Sequence, residues 1–366
     1  MTLNGGNMRF VRLSDKIMNE RLAQPIVNNK GQILVSKNQM LTDKCIKLLL
    51  NQGIRSVYIV SEIESSLKDI IPQEDRKEEI KEFKDFADGI LTRVRNSSMK
   101  NVQKKIKLHN SLNKKIDMIA RDLIKKVNIN MKLSVVDIKT KSDYLYEHQV
   151  NVCILSIYLG RKLGLDQLKI KRLAKAALIY DYGNFLIDED FVLEDRKLTE
   201  EEILKVQKHT QTAYDFFKDH TDFTVTEILP ALEHHERIDG KGYPMKKKGD
   251  KIHLFSKIIA ITDAYDSLTS DRPFRKAYPQ SEAIELLMGS AGRAYDFELT
   301  NIFVRNIVPY PNGTKVLLSD HKIGFVINQN PELPLRPKVI VTSDRFTGLI
   351  DLKQNMNITI KRVTLD

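Results

Sequence analysis

The stretch that most constrains this chain is His234-His235-Glu236-Arg237-Ile238-Asp239-Gly240-Lys241-Gly242-Tyr243-Pro244. Apolar spacing ahead of it predicts a helix from Thr224 to Glu236, so two adjacent imidazoles stand at a helix end and run into a glycine-rich loop closed by Tyr-Pro. Paired imidazoles suit a divalent transition metal, because each offers a neutral nitrogen donor of intermediate softness. A Gly-x-Gly backbone can approach a bound phosphate closely, and Tyr243 at its edge offers a hydroxyl and a ring face. A metal beside such a loop points to phosphoester chemistry. Taken alone, the same residues also describe a helix cap followed by a turn.

Other histidines lie on predicted helices. From Asp143 to Leu163 the spacing puts His148, Val152, Leu155 and Leu159 on one apolar face, where His148 is either a core histidine or a ligand. Asp166 caps the next helix, which ends at Ala176-Ala177-Leu178-Ile179-Tyr180-Asp181-Tyr182-Gly183-Asn184. Thr199-Glu200-Glu201-Glu202 forms a capping box for a helix on which His209 shares a stripe with Val206, Ala213 and Phe216. A histidine pointing into a core needs a partner there, and a metal shared with His234 and His235 is one.

The glycine loop, the segment Ile261-Thr262-Asp263-Ala264-Tyr265-Asp266-Ser267-Leu268-Thr269-Ser270-Asp271-Arg272-Pro273-Phe274-Arg275 and the segment Tyr144-Leu145-Tyr146-Glu147-His148 together resemble the HD-GYP family. These are bacterial phosphodiesterases that degrade cyclic di-GMP, and the resemblance spans roughly Ser142 to Ile307. It implies a mainly α chain with an HD-type all-helical phosphohydrolase core. By the same resemblance, Asp181, His209, His234 and His235 hold one metal, while bridging Asp181, Asp263 and the residue at position 180, with help from His148, serve a second. The family's trinuclear members carry a glutamate where Tyr144 stands, so a third metal is not expected.

Two positions depart from the family pattern. Tyr180 stands where the family has the histidine of its His-Asp pair, and Asn184 replaces a lysine that contacts phosphate. A phenolate can ligate ferric iron, whereas an unperturbed phenol with pKa near 10 ionises reluctantly. The expectation is therefore iron or manganese, with one tight site and one weakened site. The resemblance places Asp181 and Tyr180 at the catalytic positions and Gly242, Tyr243, Arg272, Arg275 and Asn184 against the nucleotide. It implies hydrolysis to linear pGpG and on to GMP. The rival reading is a degenerate domain that acts as a cyclic di-GMP receptor or a protein-interaction signalling module.

Length and composition set the frame. A chain of 366 residues makes two or three domains. Residues 1–62 read as an α+β regulatory module, 63–130 as a charged helical linker, 131–308 as the HD-GYP helical domain and 309–366 as a β appendage. With 42% hydrophobic and 29% charged residues the chain is globular. The net charge of +11 favours anionic partners, but the lysines interleave with acids and no aromatic-interleaved basic run occurs, so nucleic acid is not expected. No run of 18 apolar residues and no secretory signal is read, and the isolated Cys45 and Cys153 fit a reducing compartment, the cytoplasm. Protein partners under this reading are signalling proteins and a second copy, joined through the helices of 63–130.

Overall fold

The computed structural model describes residues 8–13, 17–23, 25–27, 33–52, 54, 56–60, 70–96, 102–130, 144–187, 198–270, 277–343 and 346–364. The chain divides into two units, one made of residues 1–69, 131–142 and 305–366 and the other of 70–130 and 143–304. Among the described residues no helix is long and apolar enough to cross a membrane.

The first unit opens with β1 (Met8–Arg12), β2 (Ile26–Val27), β3 (Ile33–Val35), α1 (Asp43–Asn51) and β4 (Ser56–Val60). β1 pairs antiparallel with β4 and β2 with β3. Helix α1 begins where the Thr42 hydroxyl accepts from the Cys45 amide at 3.3 Å, which satisfies one of the free donors of its first turn. Its Ile46 and Leu49 are buried with Leu22, Val57 and Ile59.

The second unit is helical. It comprises α2 (Gln73–Asn96), α3 (Val102–Lys126), α4 (Tyr144–Lys162), α5 (Gln167–Ile179), α6 (Gly183–Leu186) and α7 (Glu200–Gln207). It continues with α8 (His209–His220), α9 (Val225–Glu233), α10 (Leu254–Thr269), α11 (Gln280–Ser290) and α12 (Phe297–Arg305). Every residue of α4 from His148 to Gly160 is buried, as a helix apolar on all sides requires, and α4 packs on α5, α10 and α2.

Helices α2 and α3, drawn from the sequence as a linker, pack into this same unit. Leu112, Ile116, Ile119 and Leu123 of α3 are buried, and α3 lies on α5 and α8, so the stripe that suggested a homodimer seam contributes to the unit's own core. Arg161 of α4 donates to the Val127 and Ile124 carbonyls, each at 2.7 Å, satisfying acceptors that the end of α3 leaves open. The single helix expected around His209 is two helices that meet at Lys208, and the helix expected to reach Glu236 ends at Glu233. Both breaks place histidines at helix ends.

The chain finishes, within the first unit, with β5 (Lys315–Leu318), β6 (Ile323–Asn328), β7 (Lys338–Ser343), β8 (Phe346–Asp351) and β9 (Ile360–Val363). They form one antiparallel sheet in the order β8-β7-β6-β5-β9. Val316, Leu318, Val326, Val339 and Val341 alternate onto its buried face, the period-two pattern of a half-buried sheet. Strand β8 was not read from the sequence, because Gly348 interrupts its apolar run.

Candidate metal centre

The centre is assembled by the turn after α5, the start of α8, the turn after α9 and the middle of α10. Gly183 opens α6 where a side chain cannot fit, since a Cβ there would lie 2.0 Å from the His209 carbonyl oxygen. That contact of backbone on backbone brings Asp181 beside His209, whose Nε2 is 3.2 Å from Asp181 Oδ1. His234 Nε2 lies 3.8 Å from the same oxygen and 3.1 Å from His209 Nε2. The ligand atoms of His209, His234 and His235 all fall within 4.8 Å of one another.

Tautomers fix what these nitrogens can do. His209 Nδ1 is 2.6 Å from the Val206 carbonyl and His234 Nδ1 is 2.9 Å from the Pro230 carbonyl. A ring nitrogen beside a carbonyl must donate, so in each neutral ring Nε2 carries a lone pair. Burial, followed by the charges of His235 and His209, pulls His234 down to about 3 and keeps it neutral. With both rings neutral, two lone pairs face each other and a carboxylate, an arrangement that a cation relieves. Metal-bound histidines characteristically donate their other ring nitrogen to a carbonyl in this way. The residues therefore fit a transition-metal ion held by Asp181, His209, His234 and His235.

His148 and Asp263, expected to serve a second metal, are brought together with a different set of partners. His148 Nε2 is 2.8 Å from Asp263 Oδ1 and its Nδ1 is 2.5 Å from Asp266 Oδ2. The Tyr180 hydroxyl donates to Asp263 Oδ1 at 3.0 Å and stands 3.0 Å from His148 Nε2. Burial opposes a charge on His148, but Tyr144 stacked on its ring and the bonds to Asp263 and Asp266 outweigh it and raise it to about 10. For Asp263 burial acts upward, yet its bond to His148 and the surrounding imidazoles hold it well below the usual carboxylate range. Burial and the charges of Asp263 and Asp181 push the Tyr180 phenol far above its ordinary value, which keeps it a proton donor. The Tyr180 ring meets His234 edge-on at 4.8 Å, so one side chain separates the two groups.

Several of these contacts were not read from the sequence. Asp266 lies three residues after Asp263 on α10, a spacing that puts both carboxylates on one helix face and could have revealed it. Asn184, placed against phosphate by analogy with a lysine, donates to Asp181 Oδ1 at 2.6 Å. Glu233, fully buried, accepts from the His253 amide at 3.0 Å and the Ser256 hydroxyl at 2.8 Å and pairs with Lys247. Glu236 accepts from the Met245 and Lys247 amides at 2.7 and 2.9 Å. Lys247, the middle of three consecutive lysines, thus ties the loop to both glutamates.

This clamp holds the loop against the histidines. A Cβ on Gly242 would lie 2.5 Å from the His235 carbonyl oxygen, so only glycine allows this approach. Tyr243 stacks on His235 with ring centres 4.7 Å apart, and burial followed by the charges of Asp181 and Asp263 keeps its phenol protonated. Arg272 and Arg275 lie outside the described residues.

Parts of the chain are similar to known proteins. A profile described as "HD domain" matches residues 135–299, and one described as "KOW domain associated with HD domain" matches residues 315–365. The chain is 34% identical over 212 residues to the cyclic di-GMP phosphodiesterase PA4108 of Pseudomonas aeruginosa, covering 58% of this chain and 51% of that protein. It is 26% identical over 232 residues to the cyclic di-GMP phosphodiesterase PdeB of Borreliella burgdorferi, covering 62% and 61%. It is 34% identical over 176 residues to 3'3'-cGAMP-specific phosphodiesterase 1 of Vibrio cholerae, covering 47% and 40%. The chain thus spans about half the length of the curated relatives it matches. With an HD domain over most of the helical unit beyond residue 143, relatives of this kind and the His-His-Glu to Gly-Tyr-Pro stretch, the chain is similar to the HD-GYP family.

Proposed function

We propose that the helical unit is a phosphodiesterase dependent on iron or manganese, which opens cyclic di-GMP to linear pGpG and then to GMP. The observation that carries this reading is the convergence of His209 Nε2, His234 Nε2 and Asp181 Oδ1 within 3.8 Å of one another. A bound transition metal supplies a Lewis acid and an activated water for attack on a phosphodiester. The chain's own residues do the rest. Asn184 fixes the rotamer of Asp181, and the Glu233–Glu236 clamp sets the loop so that Tyr243 flanks His235 and presents its free edge to a nucleotide. Arg272 and Arg275 would supply forked donors to the phosphate oxygens.

Named relatives act on cyclic di-GMP or on 3'3'-cGAMP, so both belong in the test. Protein purified anaerobically with Fe or Mn should convert cyclic di-GMP, and His209→Ala should lose conversion by at least 100-fold. No conversion of either dinucleotide by metal-loaded protein would sink the proposal. A second reading, a receptor that binds the nucleotide without turning it over, is favoured by Tyr180 standing as a proton donor at Asp263. Saturable cyclic di-GMP binding by calorimetry, with the nucleotide recovered intact, would select it.

A further inference from the structure

The two groups of candidate ligands differ in how donors and acceptors balance, and this bears on how many metal ions the chain can hold. At Asp181, His209 and His234 the Nε2 atoms of the two imidazoles face each other at 3.1 Å, each ring anchored through Nδ1 to the carbonyl of Val206 or Pro230. Around Asp263 the balance is already closed. Asp263 Oδ1 receives the Tyr180 hydroxyl at 3.0 Å and lies 2.8 Å from His148 Nε2, and the remaining His148 nitrogen is 2.5 Å from Asp266 Oδ2. Tyr180 is fully buried among these residues, its ring edge against His234 at 4.8 Å.

We propose that this chain holds a single metal ion, at Asp181, His209, His234 and His235, and that the Tyr180 hydroxyl bonded to Asp263 and His148 takes the place of a second. The inference rests on reading the helical unit as a metal protein and goes beyond the weakened second site expected from the sequence. A cation at Asp263 would have to break the Tyr180 hydrogen bond and separate His148 from a carboxylate, and a phenol hydroxyl at position 180 is a poorer donor to a transition metal than the imidazole that the family has there. Tyr180 is here a positioning residue for Asp263, acting through one hydrogen bond.

The test is the metal content of the full chain, equilibrated with Mn(II), desalted and measured by elemental mass spectrometry beside its EPR spectrum. One ion per chain with the signal of an isolated Mn(II) is expected for the wild type. Asp263→Asn should keep one ion with unchanged affinity, and Tyr180→His should rise to two with a spin-coupled signal. Two tightly held ions in the wild type, or loss of the ion in Asp263→Asn, would overturn the proposal. A folded Tyr180→His, checked by circular dichroism, that still holds one ion would also overturn it. These outcomes are separate from the activity: a one-ion protein inert toward cyclic dinucleotides fails only the phosphodiesterase reading, and an active two-ion protein fails only this one.

Discussion

At the scale of residues, small side chains and buried carboxylates set the centre. Gly183→Ala would force its Cβ into the His209 carbonyl. Overpacking of this kind costs about 1–3 kcal/mol, and here the strain falls on the pair Asp181–His209. We expect a lower melting temperature together with a Mn(II) affinity reduced by at least 10-fold, measured by calorimetry; unchanged affinity would mean that Asp181 does not depend on this contact. Lys247→Met would leave the fully buried Glu233 without its cation, at a cost of about 3 kcal/mol, and adding Glu233→Gln should restore much of it. Urea titration of the single and double variants measures that recovery. The histidine pair and its loop were legible because four ligand-type residues and two glycines fall within eleven positions. Glu233 and the role of Lys247 were not, because a carboxylate in a sequence looks the same whether it faces water or a buried partner.

At the scale of elements, the sequence pattern foretold most helices but not how they divide. Capping residues located the helix starts: Thr199 accepts from the Glu202 amide while Glu202 accepts from the Thr199 amide, a reciprocal pair visible as Thr-x-x-Glu. The break at Lys208 left no such mark, since the helical spacing of apolar residues runs across it. The place of α2 was also hidden, because its charged surface masks a few decisive rings. Phe83 is fully buried and meets Phe185 of α6 at 6.4 Å, while the Tyr182 hydroxyl donates to the Ala87 carbonyl at 3.1 Å. Helix α2 therefore buttresses the turn that carries Asp181 and Asn184. Phe83→Ala should cost about 3 kcal/mol and, by loosening that turn, weaken Mn(II) binding as well. Denaturation and calorimetry on the same sample separate the two effects. Loss of stability with unaltered affinity would show that α2 supports the fold alone.

At the scale of the whole molecule, every described residue of the centre lies between residues 70 and 304, within one unit. A fragment spanning 70–304 should therefore melt as one transition and hold the same Mn(II) content as the full chain, as scanning calorimetry and elemental analysis would show. The net charge of +11 adds long-range attraction for an anionic dinucleotide, so association should slow as salt rises while the intrinsic metal affinity changes little. The α+β start, helical middle and β finish follow from periodicity that changes along the chain. The family resemblance sharpened the middle, while Tyr180 marked where the resemblance stops being a guide. The most direct measurement is anomalous diffraction at the manganese edge from crystals grown with Mn(II). The account predicts one strong peak within coordination distance of Asp181, His209, His234 and His235 and none beside Asp263. A chain without a peak at that cluster, or with an equal peak between Asp263 and His148, would contradict it.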